Sequence, residues 1–167
     1  MTMFKKILVP LDGSMAAEKA LTYAEEMTRI HGAQLHLVSV CALAGLDFPV
    51  EAGYYISPQM IESQLKSQLK YLSTVQSDLR LRGTEALIHG LEGNAVQKVL
   101  EFAEAEKFDL ILLTSHGRTS FKRLFLGSVA ENIARLAPCP VLLVGHESFR
   151  TPNPSSDESQ ALAAQLA

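Results

Sequence analysis

The stretch 110-LILLTSHGRTSFKRLFLGS-128 opens with an apolar block of strand length and ends on a Gly-Ser pair. Ser128 is followed three residues later by Glu131, the spacing of a capping box, which places Gly127-Ser128 at the start of a helix. A helix start carries partial positive charge and N–H groups without intrahelical partners, worth about 0.3–1 kcal/mol toward a nearby anion. Gly117 and Gly127 lack side chains that would hold a phosphate away. Between them Arg118, Lys122 and Arg123 supply charge, and Thr119 and Ser120 supply hydroxyl donors. The same letters also suit a plain connection, since loops carry glycines, Ser-x-x-Glu is a routine helix start and basic residues are usually solvated. On these residues alone the unit reads either as a phosphate-holding turn or as a bare strand-to-helix link.

Outward from this unit, strand-length apolar blocks alternate with segments of helical periodicity, the sign of βαβ units. Ile7 to Val9 reads as a buried strand, with Ser14 capping a helix that turns Ala17, Ala20, Leu21, Ala24 and Met27 inward and ends at Gly32. Leu35 to Val40 is a second strand. Ser57-Pro58 opens a long helix with Ile61, Leu65, Leu69, Leu72 and Leu79 at helical spacing, closed by Gly83. Ala86 to Ile88 is a third strand, Val96, Val99, Leu100 and Ala103 face a third helix inward, and Leu110 to Leu113 is the fourth strand. A fourth helix runs from Ser128 to about Leu136, stopped by Pro138 and Pro140, and Val141 to Val144 is the fifth strand. Strands this apolar have no wet face, so the chain is α/β, a single doubly wound five-stranded parallel sheet with helices on both faces. Ligands of such sheets bind beyond the carboxyl ends of the strands where the strand order reverses. The loops LDGS and TSHGRTSFKRLFLGS are therefore the places to search.

Length and composition agree with one domain. The chain has 167 residues, 47% apolar and 20% charged, with net charge −3, so it is globular and offers no broad basic surface for nucleic acid. The N-terminal apolar run is too short for a signal-peptide core, and no run approaches the roughly 20 residues of a membrane span. Cys41 and Cys139 make no disulfide framework, which points to a reducing cytoplasm. Residues 1–147 form the domain, and residues 148–167, rich in Pro, Ser and acids before an Ala/Leu ending, read as a flexible C-terminal tail.

Asp12 lies just past the first strand, where a carboxylate can accept ribose or amino hydrogen bonds; Asp-Gly-Ser is equally ordinary turn chemistry. A catalytic triad of His116, Asp12 and Ser128 is not favoured, because Ser128 already has a capping task. The patterns GxxxxGK[ST], GxGxxG and GxSxG are absent. His31, His36, His89, His116 and His146 lack metal-ligand spacing with the cysteines, so no catalytic or metal-binding residue is assigned.

The opening KKILVPLDGS and the closing SHGRTSFKRLFLGSVAENIARLAPCPVLLV resemble the universal stress protein family over residues 3–145. The nine residues Arg118 to Leu126 between Gly117 and Gly127 fit the family's spacing, glycine, two residues, glycine, nine residues, then Gly-Ser. Thr114 stands where the first glycine of that pattern falls. The resemblance implies strand order 3-2-1-4-5 and ATP at the junction of strands one and four. It places Pro10, Leu11 and Asp12 near the nucleoside, Val40 at the adenine, and Thr114, His116, Gly117, Arg118, Gly127, Ser128 and Val129 around the phosphates. Thr114 would narrow the phosphate site or donate to it. Magnesium, if present, would be held through phosphates and water, since these loops have no carboxylate cluster.

The family also implies a homodimer through Val141–Val144, and an exposed apolar edge strand supports pairing on physical grounds. The function expected is an adenine-nucleotide-binding regulatory or stress-response module, at most a weak ATPase. A slow nucleotide hydrolase or phosphotransferase, and a scaffold without nucleotide, remain the alternatives. The aromatic segment 43-LAGLDFPVEAGYYIS-57 either lids the site or anchors to its own domain.

Overall fold

The computed structural model describes residues 3–41, 58–115 and 127–145. The 43–57 segment, His116 to Leu126, His146 and the tail from residue 148 lie outside the described residues. The elements run β1 (Lys6–Pro10), α1 (Met15–His31), β2 (Gln34–Cys41), α2 (Pro58–Leu81), β3 (Ala86–Glu92), α3 (Ala95–Ala105), β4 (Leu110–Thr114), α4 (Ser128–Leu136) and β5 (Val141–Val144). The strands form one sheet in the order β3-β2-β1-β4-β5. Each neighbouring pair is parallel.

The side-chain alternation of the strands feeds two cores. Ile7, Val9, Leu35 and Leu37 meet Ala17, Ala20, Leu21 and Ala24 of α1 and Leu72, Val75 and Leu79 of α2 on one face. Leu8, Val38, Ile111 and Leu113 meet Val99 and Ala103 of α3 and Ala130 and Ile133 of α4 on the other. Each fully buried Leu or Ile contributes about 1.5–3 kcal/mol, so the central strands are held by burial on both sides. Ser14 caps α1, its Oγ accepting the Ala17 N–H at 3.1 Å. Gly32 ends α1 at φ +62, a left-handed turn that a side chain would strain.

Two expectations change. β3 extends to Glu92 and is not dry: Leu87 is 51% exposed because β3 is an edge strand whose outer flank no helix fully covers. The inward stripe of α2 keeps the expected Leu72 and Leu79 but takes Val75 in place of Leu69. Leu72, Val75 and Leu79 are buried, whereas Leu69 is half open and rests over the edge strand, where a Cβ on Gly90 would meet Leu69 Cδ2 at 3.0 Å.

Between β2 and β3 lies a polar pair that periodicity does not reveal. His36 Nδ1 and His89 Nε2 share a hydrogen bond at 3.0 Å, with the rings parallel within 8°. Phe108 meets His36 edge-on, Phe102 tilts against His89, and the surrounding charges are Lys6 and Glu106. Burial, then His89 and Lys6, hold the His36 pKa down to about 4, and burial also lowers that of His89. An unfolded histidine takes up its proton near pH 6.5. The stability this neutral pair contributes is therefore fully present above about pH 6.5 and drains as pH falls toward 4. The slope approaches about 1.4 kcal/mol per pH unit for one histidine. Melting scans at pH 7, 6 and 5 should show a falling Tm that flattens in a His36→Leu/His89→Leu variant; equal slopes in both proteins would contradict this account.

Candidate functional site

At the carboxyl end of β1 the Leu11 N–H continues the ladder to Val38 O at 2.8 Å, and its side chain turns into the core, 3% exposed. Leu11 therefore faces protein rather than solvent, and Pro10 is half-buried in register with Val38. Gly13, at φ +82, swings the chain upward into α1. Asp12 Oδ1 accepts both the Ser14 N–H at 2.9 Å and the Ser14 hydroxyl at 2.6 Å. The Asx turn and the exposed position coexist: the carboxylate sits at the N-terminus of α1, where the helix dipole favours negative charge.

Asp12 and Val40, two of the sequence-derived candidates, line one cleft of about 450 Å³. That volume lies within the range typical of small-molecule sites, about 300–1,000 Å³. Its floor is the end of β2, Ser39 to Cys41, and its far wall is one stripe of α2 formed by Gln64, Ser67, Gln68 and Tyr71. Tyr71 donates to Glu18 Oε1 at 2.9 Å, tying that wall to α1, and the Cys41 thiol donates to Gln64 Oε1 at 3.1 Å. Burial pushes the Cys41 thiol pKa up, so it stays a neutral donor. Both cysteines are free.

The second half of the site is the end of β4 and the start of α4. Thr114 pairs with Val144 in the ladder. The Ser115 N–H then donates to Val144 O at 3.0 Å, and Ser115 O accepts the Gly127 N–H at 2.9 Å. That hydrogen bond ties the start of α4 to the end of β4. Here the capping-box expectation is corrected. Gly127 is the N-cap, Ser128 is the first helical residue, and no side chain among the described residues caps the helix. The Glu131 N–H bonds to Gly127 O at 2.8 Å, so intrahelical bonding begins only there. Gly127 itself has φ −62 and ψ 145, open to any residue, so what glycine contributes is a missing side chain rather than an unusual turn. Val129 is 43% exposed on the first turn of α4.

The described lining of the cleft joins Asp12 and Val40 but does not include Thr114, Gly127, Ser128 or Val129, which gather at the neighbouring strand end. His116, Gly117 and Arg118 fall outside the described residues. Sequence reading missed Ser39, Cys41, Gln64, Ser67, Gln68 and Tyr71. A signal for the helical four existed: they continue the buried stripe of Val75 and Leu79 toward the N-terminus with polar residues. Among the described residues no group of three or more His, Cys, Asp or Glu side chains is placed to hold a metal ion, and no helix is long and apolar enough to cross a membrane.

The fold and the paired strand ends define a doubly wound α/β protein with its crevice at the β1/β4 junction, and comparison with known proteins agrees. The universal stress protein family model matches residues 3–145, and the chain belongs to that family. It is 31% identical over 145 residues to universal stress protein MJ0531 of Methanocaldococcus jannaschii, covering 85% of this chain and 82% of that protein. It is 35% identical over 146 residues to a universal stress protein of Thermus aquaticus, covering 85% and 99%. Among solved structures it matches universal stress protein UspA from Lactobacillus plantarum with a TM-score of 0.74 at 22% identity, over 86% of this chain and 99% of that one. It also matches a universal stress protein in complex with cAMP, with a TM-score of 0.55 at 22% identity over 86% and 98%. An Arabidopsis thaliana family member with AMP bound gives 0.58 at 16% identity over 90% and 97%.

The Asp12–Ser14 arrangement yields a stability test. Ser14→Ala should lose about 1 kcal/mol in urea unfolding and Ser14→Gly only a few tenths. Equal losses would contradict capping as the role of Ser14.

Proposed function

We propose that this chain is an adenine-nucleotide-binding regulatory module, with ATP as its ligand. The observation that carries this reading is the first turn of α4, uncapped among the described residues and anchored by the Ser115–Gly127 bond at the strand junction that also presents Asp12. The amides of Ser128, Val129 and Ala130 precede the first intrahelical bond, and a phosphate is the kind of group that satisfies them. Gly127 leaves room for close approach. Asp12, unsuited to phosphate by its charge, suits ribose hydroxyls, and the cleft over Val40 suits the base. Thr114, His116, Gly117 and Arg118 complete the phosphate loop in this reading, and magnesium would be held by phosphates and water. That relatives of the same fold carry cAMP and AMP supports an adenine nucleotide.

The module acts in the cytoplasm as a homodimer through β5. Val141, Leu142 and Leu143 are only half-buried on an edge strand, and Leu136 beside them is 62% exposed, an apolar edge that a second copy would cover. Light scattering should then give twice the chain mass, and a monomer at micromolar concentration would remove this part of the reading.

The nucleotide reading is tested by thermal shift. ATP should raise the Tm saturably, and Gly127→Val should abolish the shift while leaving the ligand-free Tm within a few degrees, since its backbone angles admit valine. Identical melting of the wild type with and without ATP would overturn it.

A further inference from the structure

We propose that the His36–His89 pair is a proton-operated latch that fastens the edge strand β3 and the helix α3 to the central sheet, and that acid opens it locally, ahead of global unfolding. The inference stands on the pair itself and needs no bound nucleotide.

β3 has one strand neighbour, β2, and little apolar hold. Leu87 is half exposed and Gly90 brings no side chain, so on the α3 face β3 is held through His89 and the partly buried Leu91. His36 is 5% exposed, and Phe108 and Phe102 pack against the two rings. Phe102 belongs to α3, so the pair joins β2, β3 and α3 at one point.

The proton count of this joint makes it respond to acid. In the neutral pair four ring nitrogens carry two protons, one of them shared between His36 Nδ1 and His89 Nε2. A third proton completes His36 Nε2 and His89 Nδ1 and spares the shared bond. It also places charge in a buried site, where His36 Nε2 has no hydrogen-bond partner among the described residues. A fourth proton sets N–H against N–H across 3.0 Å, and the bond is lost.

The charges acting on the pair do not offset this cost. Lys6 of β1 opposes protonation and Glu106 at the end of α3 favours it, and the two bind each other at 3.4 Å. Asp109 accepts the Lys5 and Lys6 N–H groups, and on this face β2 and β3 otherwise bring Val38, Val40 and Leu91 to the core. α1 and α2 pack on the opposite face. Opening reaches the cleft through the β3–α3 turn. The Gly93 N–H is bonded to Cys41 O, and Ala95, the first residue of α3, lines the cleft together with Cys41. An open latch therefore loosens one wall of the cleft.

Amide hydrogen exchange of the full chain at pH 7 and pH 5, expressed as protection factors, tests the latch. A freed histidine takes up its proton near pH 6.5, so over this range opening should become easier by up to about 25-fold for each histidine and several-hundredfold for both. Protection of the Gly93 and Phe108 amides, bonded to Cys41 O and Ala103 O, should fall accordingly and stay below that of the Leu11 and Ile111 amides of the central sheet. A His36→Leu/His89→Leu variant should abolish the fall. His89→Gln keeps a hydrogen-bonding amide that does not titrate, so its fall should not exceed the 25-fold of one histidine; it decides the matter where the double variant fails to fold by circular dichroism. Gly93 protection that ignores pH, or a fall unchanged in the variants, overturns the latch. Gly93 protection equal to that of Leu11 at both pH values also overturns it, because the pair then opens only with the whole fold.

Discussion

The pairing of β1 with β4, Ile7 beside Leu110 and Leu8 beside Ile111, is the constraint on which the rest of this molecule depends. Parallel strands cannot be joined by a hairpin, so each crossing passes over one face of the sheet. From β1 the chain leaves to the face covered by α1 and α2, and from β4 it leaves to the face covered by α4. The two exits diverge above one pair of neighbouring strands, and the gap between them is the crevice. Removing that adjacency would separate Asp12 from the start of α4 whatever the loop sequences were.

Rigidity at the crevice comes from a few hydrogen bonds laid on the buried sheet. Ser115 is held through Val144, and Gly127 through Ser115, so the start of α4 is tied to β5 as well as to β4. On the other side Tyr71 joins α2 to α1, and the Gly93 N–H reaches Cys41 O at 3.0 Å, fastening the β3–α3 turn to the end of β2. The cleft walls therefore belong to elements whose inner faces are packed, which suits binding by a preformed site.

Much of this was legible in the sequence because burial on both faces writes strands as apolar runs and because caps have local signatures. The five strands, Ser14, Gly32 and the candidate loops follow from neighbours in the chain. What was not legible depends on partners far along it. Leu87 is apolar yet exposed, because edge position is a property of topology rather than of the letters around it. His36 and His89 meet across 53 positions, a consequence of β2–β3 register. Ser128 and Gly127 are adjacent and both acceptable as caps, so the choice between them was made by the bond that Gly127 gives to Ser115. The glutamines of α2 look like surface residues in a helix rich in them, and only the placement of α2 over the end of β2 turns Gln64 and Gln68 toward a cleft.

The central claim is that the first-turn amides of α4 receive the anionic end of a ligand whose other end occupies the cleft under α2. Amide-resolved nuclear magnetic resonance during titration with magnesium ATP tests it most directly. The account predicts saturable shifts of the Ser128, Val129 and Ala130 amides together with those of Asp12 and Val40. Shifts confined elsewhere on the surface, with the α4 amides unmoved at saturating nucleotide, would contradict it.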